Sequence, residues 1–247
     1  MQNQKSYVYG IHALQESFTS DHDIEKILIQ KNSPNEALKA VTAQAKTLGI
    51  PVQSVPLEKL NGITRKNHQG VIAFISPIQY RSLDNVLDEV YRKGEMPFLL
   101  ILDGITDVRN FGAIVRTAEC AGINAIVVPS KGTALMGQDA MKTSSGALHH
   151  VPVCRSQNLH KTISFLQQSG VKVIGCTEKT DQQLFDEKMD GPVALVMGSE
   201  EKGLSSDSIK TCDAILKLPM KGKISSLNVS VAAGIVMYEV VRQRQLE

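Results

Sequence analysis

The hydrophobic positions of this chain fall into short runs with two different spacings. Near the start, "KILIQ" (26–30), "PVQSVP" (51–56) and "GVIAFIS" (70–76) have the length and β-branched content of strands. Between the first two lies "NEALKAVTAQAKTLG" (35–49), built of helix formers and closed by a Gly. This pattern predicts a small α/β unit. From residue 98 onward the runs become regular: "FLLILD" (98–103), "AIVVP" (125–129), "VPVC" (151–154), "VKVIGC" (171–176), "VALVM" (193–197) and "AILKLP" (214–219). Helical stretches separate most of them. Strand–helix alternation predicts a parallel sheet with helices on both faces. In such sheets ligand sites lie at the carboxyl ends of the strands. Residues 78–96, with the single helical stretch "LDNVLDEVYRKG", read as a linker. The expected organisation is a first domain over 1–77, a linker over 78–96 and a second domain over 97–247.

Composition narrows the classes of function. The 247 residues are 42% hydrophobic and 21% charged, the balance of a soluble globular protein. The N-terminal stretch mixes polar and apolar residues, and no later run is long enough to cross a bilayer, so neither a signal peptide nor a membrane span is expected. A cytoplasmic location follows as the default. The four cysteines form no CxxC pair and the six histidines are scattered, so no metal site is expected. A net charge of +2 is too small to hold nucleic acid by charge alone; any RNA contact has to be local and shaped.

Four loops carry candidate chemistry. "TRKNHQG" (64–70) sets Arg65, Lys66, Asn67 and His68 before a Gly, which suits either a solvated turn or an RNA-contacting loop. In "DGITDVRNFGAIVRTAECAG" (103–122), Asn110 is placed to cap a helix that Gly122 ends. On that helix Arg116 shares a face with the small residues Gly112, Ala113 and Cys120, which would let it lie back into a site. "VALVMGSEEKGLS" (193–205) follows a strand and nearly spells a phosphate loop. Leu204 stands where the phosphate-binding Lys belongs, and Glu200 and Glu201 would face the phosphates. The loop suits a ligand without a phosphate tail. In "MKGKISSLNVSVAAGI" (220–235), Ser225 or Ser226 can cap a helix starting near Leu227. Ser226, Ser230 and Gly234 then form a stripe for close packing, with Val229, Ala233 and Met237 as apolar surface beside it.

"NFGAIVRTA", "MGSEEKGLS" and "LPMKGKISSLNVSVAAGIVMYE", in this order, resemble the three motifs of the SPOUT methyltransferases of the TrmH/SpoU group. The likeness spans roughly residues 98–245. "YGIHAL" and "NHQGVIAF" further resemble the RlmB subgroup, which methylates a guanosine ribose in 23S ribosomal RNA. The resemblance implies a SPOUT fold with a C-terminal trefoil knot, preceded by a small RNA-binding L30e-like domain, and a homodimer. It implies S-adenosylmethionine as cofactor, held by Thr177, Gly198, Leu218, Met220, Ser226 and Leu227. Asn110, Arg116, Glu200, Ser226 and Asn228 match the positions assigned to catalysis, with Glu200 preferred to Glu201 for its Gly-Ser-Glu spacing. Arg65, Lys66, Asn67 and His68 would contact RNA.

The implied reaction is methyl transfer to a ribose 2′-hydroxyl. Family analogy casts Arg116 as the base. A guanidinium with a pKa above about 12 is better suited to hold a phosphate and stabilise developing oxygen charge. Transfer RNA is the alternative substrate, and a non-catalytic RNA-binding protein on the same scaffold is the alternative class.

Overall fold

The computed structural model describes residues 7–20, 23–134 and 136–245; residues 1–6 and 246–247, where the expected domains begin and end, lie outside them. The chain forms two compact units: residues up to Gln79 with the short stretch 135–138, and Tyr80–Ala134 with the residues from Asp139 onward.

The first unit runs β1 (Tyr7–Tyr9), α1 (Ile11–Ser17), β2 (Ile24–Gln30), α2 (Glu36–Thr47), β3 (Val52–Val55), α3 (Leu57–Ile63) and β4 (Val71–Ile75). Its sheet has the order β1-β4-β2-β3, with β2 and β3 parallel and β4 antiparallel to β1 and β2. One face packs Ile27, Ile29, Val71 and Ala73 against Leu14 of α1 and Leu38 and Val41 of α2. The other packs Leu28, Val55 and Ile72 against Leu60 of α3. The expected strands and helix are all present. β1 and α1 are additional, because a three-residue strand carries too little periodicity to be read.

In the loop before β4, Arg65, Lys66 and Asn67 are exposed. His68 is buried, which corrects its place among residues expected to face RNA. Its Nδ1 accepts the Gly70 N–H at 3.0 Å and its Nε2 lies 3.0 Å from Asn61 Oδ1. Since Nδ1 accepts, the network assigns the ring proton to Nε2. His68 thus shapes the turn, and Gln69 Oε1 fixes the loop to α1 by accepting from Ile11 N–H at 2.9 Å.

The second unit runs β5 (Tyr80–Arg81), α4 (Leu83–Arg92), β6 (Phe98–Asp103), α5 (Val108–Cys120), β7 (Ala125–Pro129), α6 (Gln138–Thr143), β8 (Val153–Ser156), α7 (Leu159–Gln168), β9 (Lys172–Cys176), β10 (Val193–Gly198), α8 (Ser206–Thr211), β11 (Ala214–Leu216) and α9 (Val229–Arg244). The sheet order is β11-β9-β10-β6-β7-β8-β5, and every pairing is parallel. β8 lies two residues later than the run "VPVC" suggests. The stretch 78–96 is no free linker from Tyr80 on. β5 pairs with β8, and Val86, Leu87 and Val90 of α4 join the core around Leu99, Ile101 and Val127.

Both helix starts near the motifs are shifted from expectation. Asp107, not Asn110, caps α5: its carboxylate accepts from Arg109 N–H at 2.7 Å and Asn110 N–H at 3.0 Å. The N–H groups of Asn110 and Arg109 hold that carboxyl below its ordinary value. Asn228, not Ser225 or Ser226, caps α9. Val229, Ala233 and Met237 are buried within the chain itself, so the apolar surface expected beside the small-residue stripe faces inward. The exposed apolar residues of α9 are Val231, Ile235 and Tyr238.

Candidate active site

Four neighbouring parallel strands, β6, β10, β9 and β11, end at Asp103, Gly198, Cys176 and Leu216. The segments that follow the last three enclose a pocket of about 490 Å³. All six residues expected to hold the cofactor line it: Thr177, Gly198, Leu218, Met220, Ser226 and Leu227. Glu200 and Asn228 line it as well.

The loop after β10 is folded back on itself. Gly203 N–H donates to Ser199 O at 2.8 Å, and Lys202 N–H to Ser199 Oγ at 3.2 Å. A Cβ on Gly198 would come within 2.1–2.3 Å of the Gly203 and Leu204 backbone. Only Gly fits there, because what it would strike is backbone and cannot swing aside. Behind the loop, Asp103 Oδ2 accepts from Ser205 N–H at 3.0 Å and Ser208 Oγ at 2.7 Å. This carboxylate anchors the far end of the loop, a support that sequence reasoning missed; its place at the end of β6 was the available signal. Thr177 is buried, with its N–H bonded to Leu216 O at 2.9 Å, which ties the β9 and β11 segments together.

One residue from each of the three motifs meets at the pocket edge. Asn228 Nδ2 donates to Asn110 Oδ1 at 3.0 Å and to Glu200 Oε1 at 2.6 Å. Asn228 Oδ1 accepts from Ser230 N–H at 3.0 Å and from Ser230 Oγ at 2.5 Å. An amide has two donor hydrogens and two acceptor lone pairs, so the side chain of Asn228 is saturated. Glu200 Oε1 also accepts from Val229 N–H at 3.3 Å, setting a carboxylate at the positive end of α9. Glu200, rather than Glu201, makes these contacts, and it makes them with an amide and a backbone N–H instead of an ion pair. The Asn110 carbonyl accepts one bond, whereas its Nδ2 has no partner among the described residues. Its whole donor group is left over.

Arg116 stands apart from this cluster. It is exposed on α5, does not line the pocket, and makes no hydrogen bond or ion pair with the described residues. Its small neighbour Gly112 is buried under α6: a Cβ there would lie 2.1 Å from Thr143 Oγ1. That glycine serves helix packing and does not make room for Arg116. Ser226 is exposed on the pocket wall and likewise unpartnered among the described residues. Among the described residues, no group of three or more His, Cys, Asp or Glu is gathered where a metal ion would sit. No helix among them is long and apolar enough to cross a membrane.

The model of the SpoU rRNA methylase family matches residues 97–238, which holds the pocket and the three motifs up to Tyr238. The chain belongs to that family. A second model, for the substrate-binding domain of RNA 2′-O ribose methyltransferases, matches residues 7–81. A Bacillus subtilis (strain 168) protein assigned to the TrmH family of tRNA/rRNA methyltransferases is 40% identical over 99% of this chain and 98% of its own. Among solved folds, the SpoU methyltransferase AviRb from Streptomyces viridochromogenes, in complex with AdoMet, superimposes with a TM-score of 0.62 at 21% identity. The match covers 98% of this chain and 91% of that one. An AdoMet-bound rRNA methyltransferase from Sinorhizobium meliloti gives 0.59 at 23% identity over 96% of this chain and 86% of that one. As a SpoU-family protein, the chain is an RNA methyltransferase.

Proposed function

We propose that this SpoU-family enzyme transfers a methyl group from S-adenosylmethionine to a ribose 2′-hydroxyl of RNA, with a guanosine of 23S ribosomal RNA as its target. The observation that carries the reading is the meeting of Asn110, Glu200 and Asn228 at the pocket edge, with a free donor on Asn110. The pocket fits the cofactor. Its volume of about 490 Å³ lies within the roughly 300–1,000 Å³ of small-molecule sites. Leu218, Met220 and Leu227 offer apolar walls for a base, while Thr177, Ser226 and the turns of backbone around Gly198 suit hydroxyl and amino-acid groups. When bound, its sulfonium supplies an electrophilic methyl group.

The chain's own residues do the rest. A ribose hydroxyl is a poor nucleophile until its proton is drawn off. Arg116, always charged, holds the adjacent RNA phosphate and stabilises negative charge as it grows on the 2′-oxygen. The proton leaves to a phosphate oxygen or to water. Asn110 Nδ2 donates to the ribose. Asn228 and Glu200 act as positioning residues, since the Asn228 amide has no capacity left for substrate.

The substrate-binding model at 7–81 supports RNA as the substrate that this segment engages. The tRNA 2-OH methylation structure that resembles this chain covers only 62% of it. A second copy would cover α9, whose Val231, Ile235 and Tyr238 remain 50%, 37% and 48% exposed on a helix that also buries apolar residues. That favours a homodimer. A trefoil knot in the C-terminal segment belongs to the same reading. A ribosomal RNA target sets the work in the cytoplasm.

Two measurements test the reading. Calorimetry with a chelator present should show S-adenosylmethionine binding; none, or strict dependence on a divalent ion, would overturn it. Ribosomal RNA from cells lacking the protein should accept labelled methyl groups while transfer RNA does not. Acceptance by transfer RNA alone would move the target.

A further inference from the structure

We infer that the thinly covered face of the four-stranded sheet is a stacking platform for unpaired bases of the RNA substrate. The inference rests on the reading of the chain as an RNA methyltransferase and adds a site to it.

Side chains alternate along a strand. Val8, Ala73 and Ile75 take the face that packs on α1 and α2. Tyr7, Tyr9 and Phe74 therefore take the opposite face, where among the described residues the helix packed against them is the seven-residue α3. Tyr7 and Phe74 are cross-strand partners, with ring centroids 6.2 Å apart and planes tilted by 58°. Tyr9 continues the row at 6.3 Å and 51° from Tyr7. All three residues are partly buried: they rest against Leu60 and Ile72, Tyr7 Oη donates to Ile63 O at 3.5 Å, and each keeps part of its surface in solvent. Of the five tyrosines and six phenylalanines in the chain, three share this one patch.

Two cations are interleaved with the rings. Lys26 Nζ lies 5.2 Å from the Phe74 centroid and Lys66 Nζ 5.8 Å from that of Tyr9. Lys66 belongs to the exposed run Arg65–Asn67, so the patch continues into a basic loop. A face meant only for the core would bury aliphatic residues, as the rest of this face does with Leu28, Val55 and Ile72. Half-open rings flanked by ammonium groups match a single strand instead, whose bases stack on aromatic faces while its phosphates meet cations. A duplex hides its base faces in the stack, so the occupant is unpaired RNA.

The test uses the full chain and a labelled oligoadenylate of about ten nucleotides, within the span such sites cover, with an RNA duplex of equal length as control. Tyr7→Leu, Tyr9→Leu and Phe74→Leu keep apolar bulk and remove the ring. Each should weaken single-strand binding roughly 5- to 150-fold, the range of base–aromatic stacking, and leave duplex binding and cofactor calorimetry unchanged. Lys66→Ala, at an exposed position outside the core, should lower the salt slope of single-strand binding by about 0.7. Wild-type affinity in folded leucine variants with an unchanged slope in Lys66→Ala would overturn the platform, as would equal losses on the duplex. Methyl transfer by the wild type is read separately. An active enzyme whose variants bind normally removes the platform alone. A platform that binds RNA on an enzyme transferring no methyl group removes the activity alone.

Discussion

The two sheets differ in how completely their side chains are spoken for. In the seven-stranded sheet, β6, β7 and β10 are buried along nearly their whole length, and the pocket at the ends of β9, β10 and β11 is closed by bonds between segments. In the four-stranded sheet, β1 is half-exposed throughout and β3 leaves Gln53 and Ser54 in solvent. The same contrast recurs within the catalytic unit. Asn228 has every hydrogen-bonding position filled, whereas Arg116 has none filled among the described residues. Groups that shape a small-molecule pocket are fixed before the ligand arrives, which lowers the entropy lost on binding. On the proposed reading, Arg116 stays open until RNA supplies its partner.

Arg116→Ala breaks this contrast most severely. Losing a charge-assisted contact made chiefly in the transition state costs about 2.7–4 kcal/mol, or roughly 10²–10³ in turnover. Cofactor affinity by calorimetry should not change, because Arg116 lies outside the pocket lining. Arg116→Lys should stay impaired at every pH. Recovery near pH ~10, where a free Lys loses its proton, would reassign the residue as a base.

Gly198→Ala attacks the other side of the contrast. Its methyl group would meet backbone at 2.1–2.3 Å, and overpacking of that kind costs about 1–3 kcal/mol. Carried by the loop, the strain should weaken cofactor binding roughly 5- to 150-fold and spare RNA binding. Normal cofactor affinity in this variant would show that the loop yields freely.

Asn228→Ala removes a helix cap, at about 0.5–2 kcal/mol. Since stability of this size moves the melting temperature by about 2–4 °C per kcal/mol in chains of 150–250 residues, calorimetric scans should register a small drop. Turnover should fall alongside it, as Asn110 and Glu200 lose their shared partner. Full activity with a lowered melting temperature would reduce Asn228 to a cap alone.

The smallest effect concerns the thiols. Burial pushes Cys154, Cys176 and Cys212 up to about 12. At pH ~8, far below those values, they are neutral thiols and so poor nucleophiles; iodoacetamide with mass spectrometry should mark exposed Cys120 and spare the other three. Their raised folded values contribute stability that is whole below the unfolded value near 9.0 and is lost as pH rises toward about 12. Labelling of Cys176 in the folded protein would show the pocket wall opening.

Strands with continuous apolar runs were legible because burial on both faces leaves no other composition available. The misplaced features all depend on tertiary context. Asp107 and Asn110 are both good caps three residues apart, and nothing local decides between them. α4 was readable as a helix, but its membership of the second unit depends on an edge strand of two residues, β5. His68 reads as a polar loop residue until Asn61 and Gly70 are seen to enclose it. The meeting of Asn110, Glu200 and Asn228 follows from family motifs and not from spacing, because 118 positions separate its outer members.

The saturated amide of Asn228 has a consequence for how the site comes into being. Each of its partners arrives on a different segment, and no two of those segments alone complete the arrangement. The pocket edge therefore cannot be half assembled. The pocket wall shares this dependence, since Ser225–Val229, Ala232 and Val236 line it, so a chain cut short before α9 would lose the edge and part of the wall together.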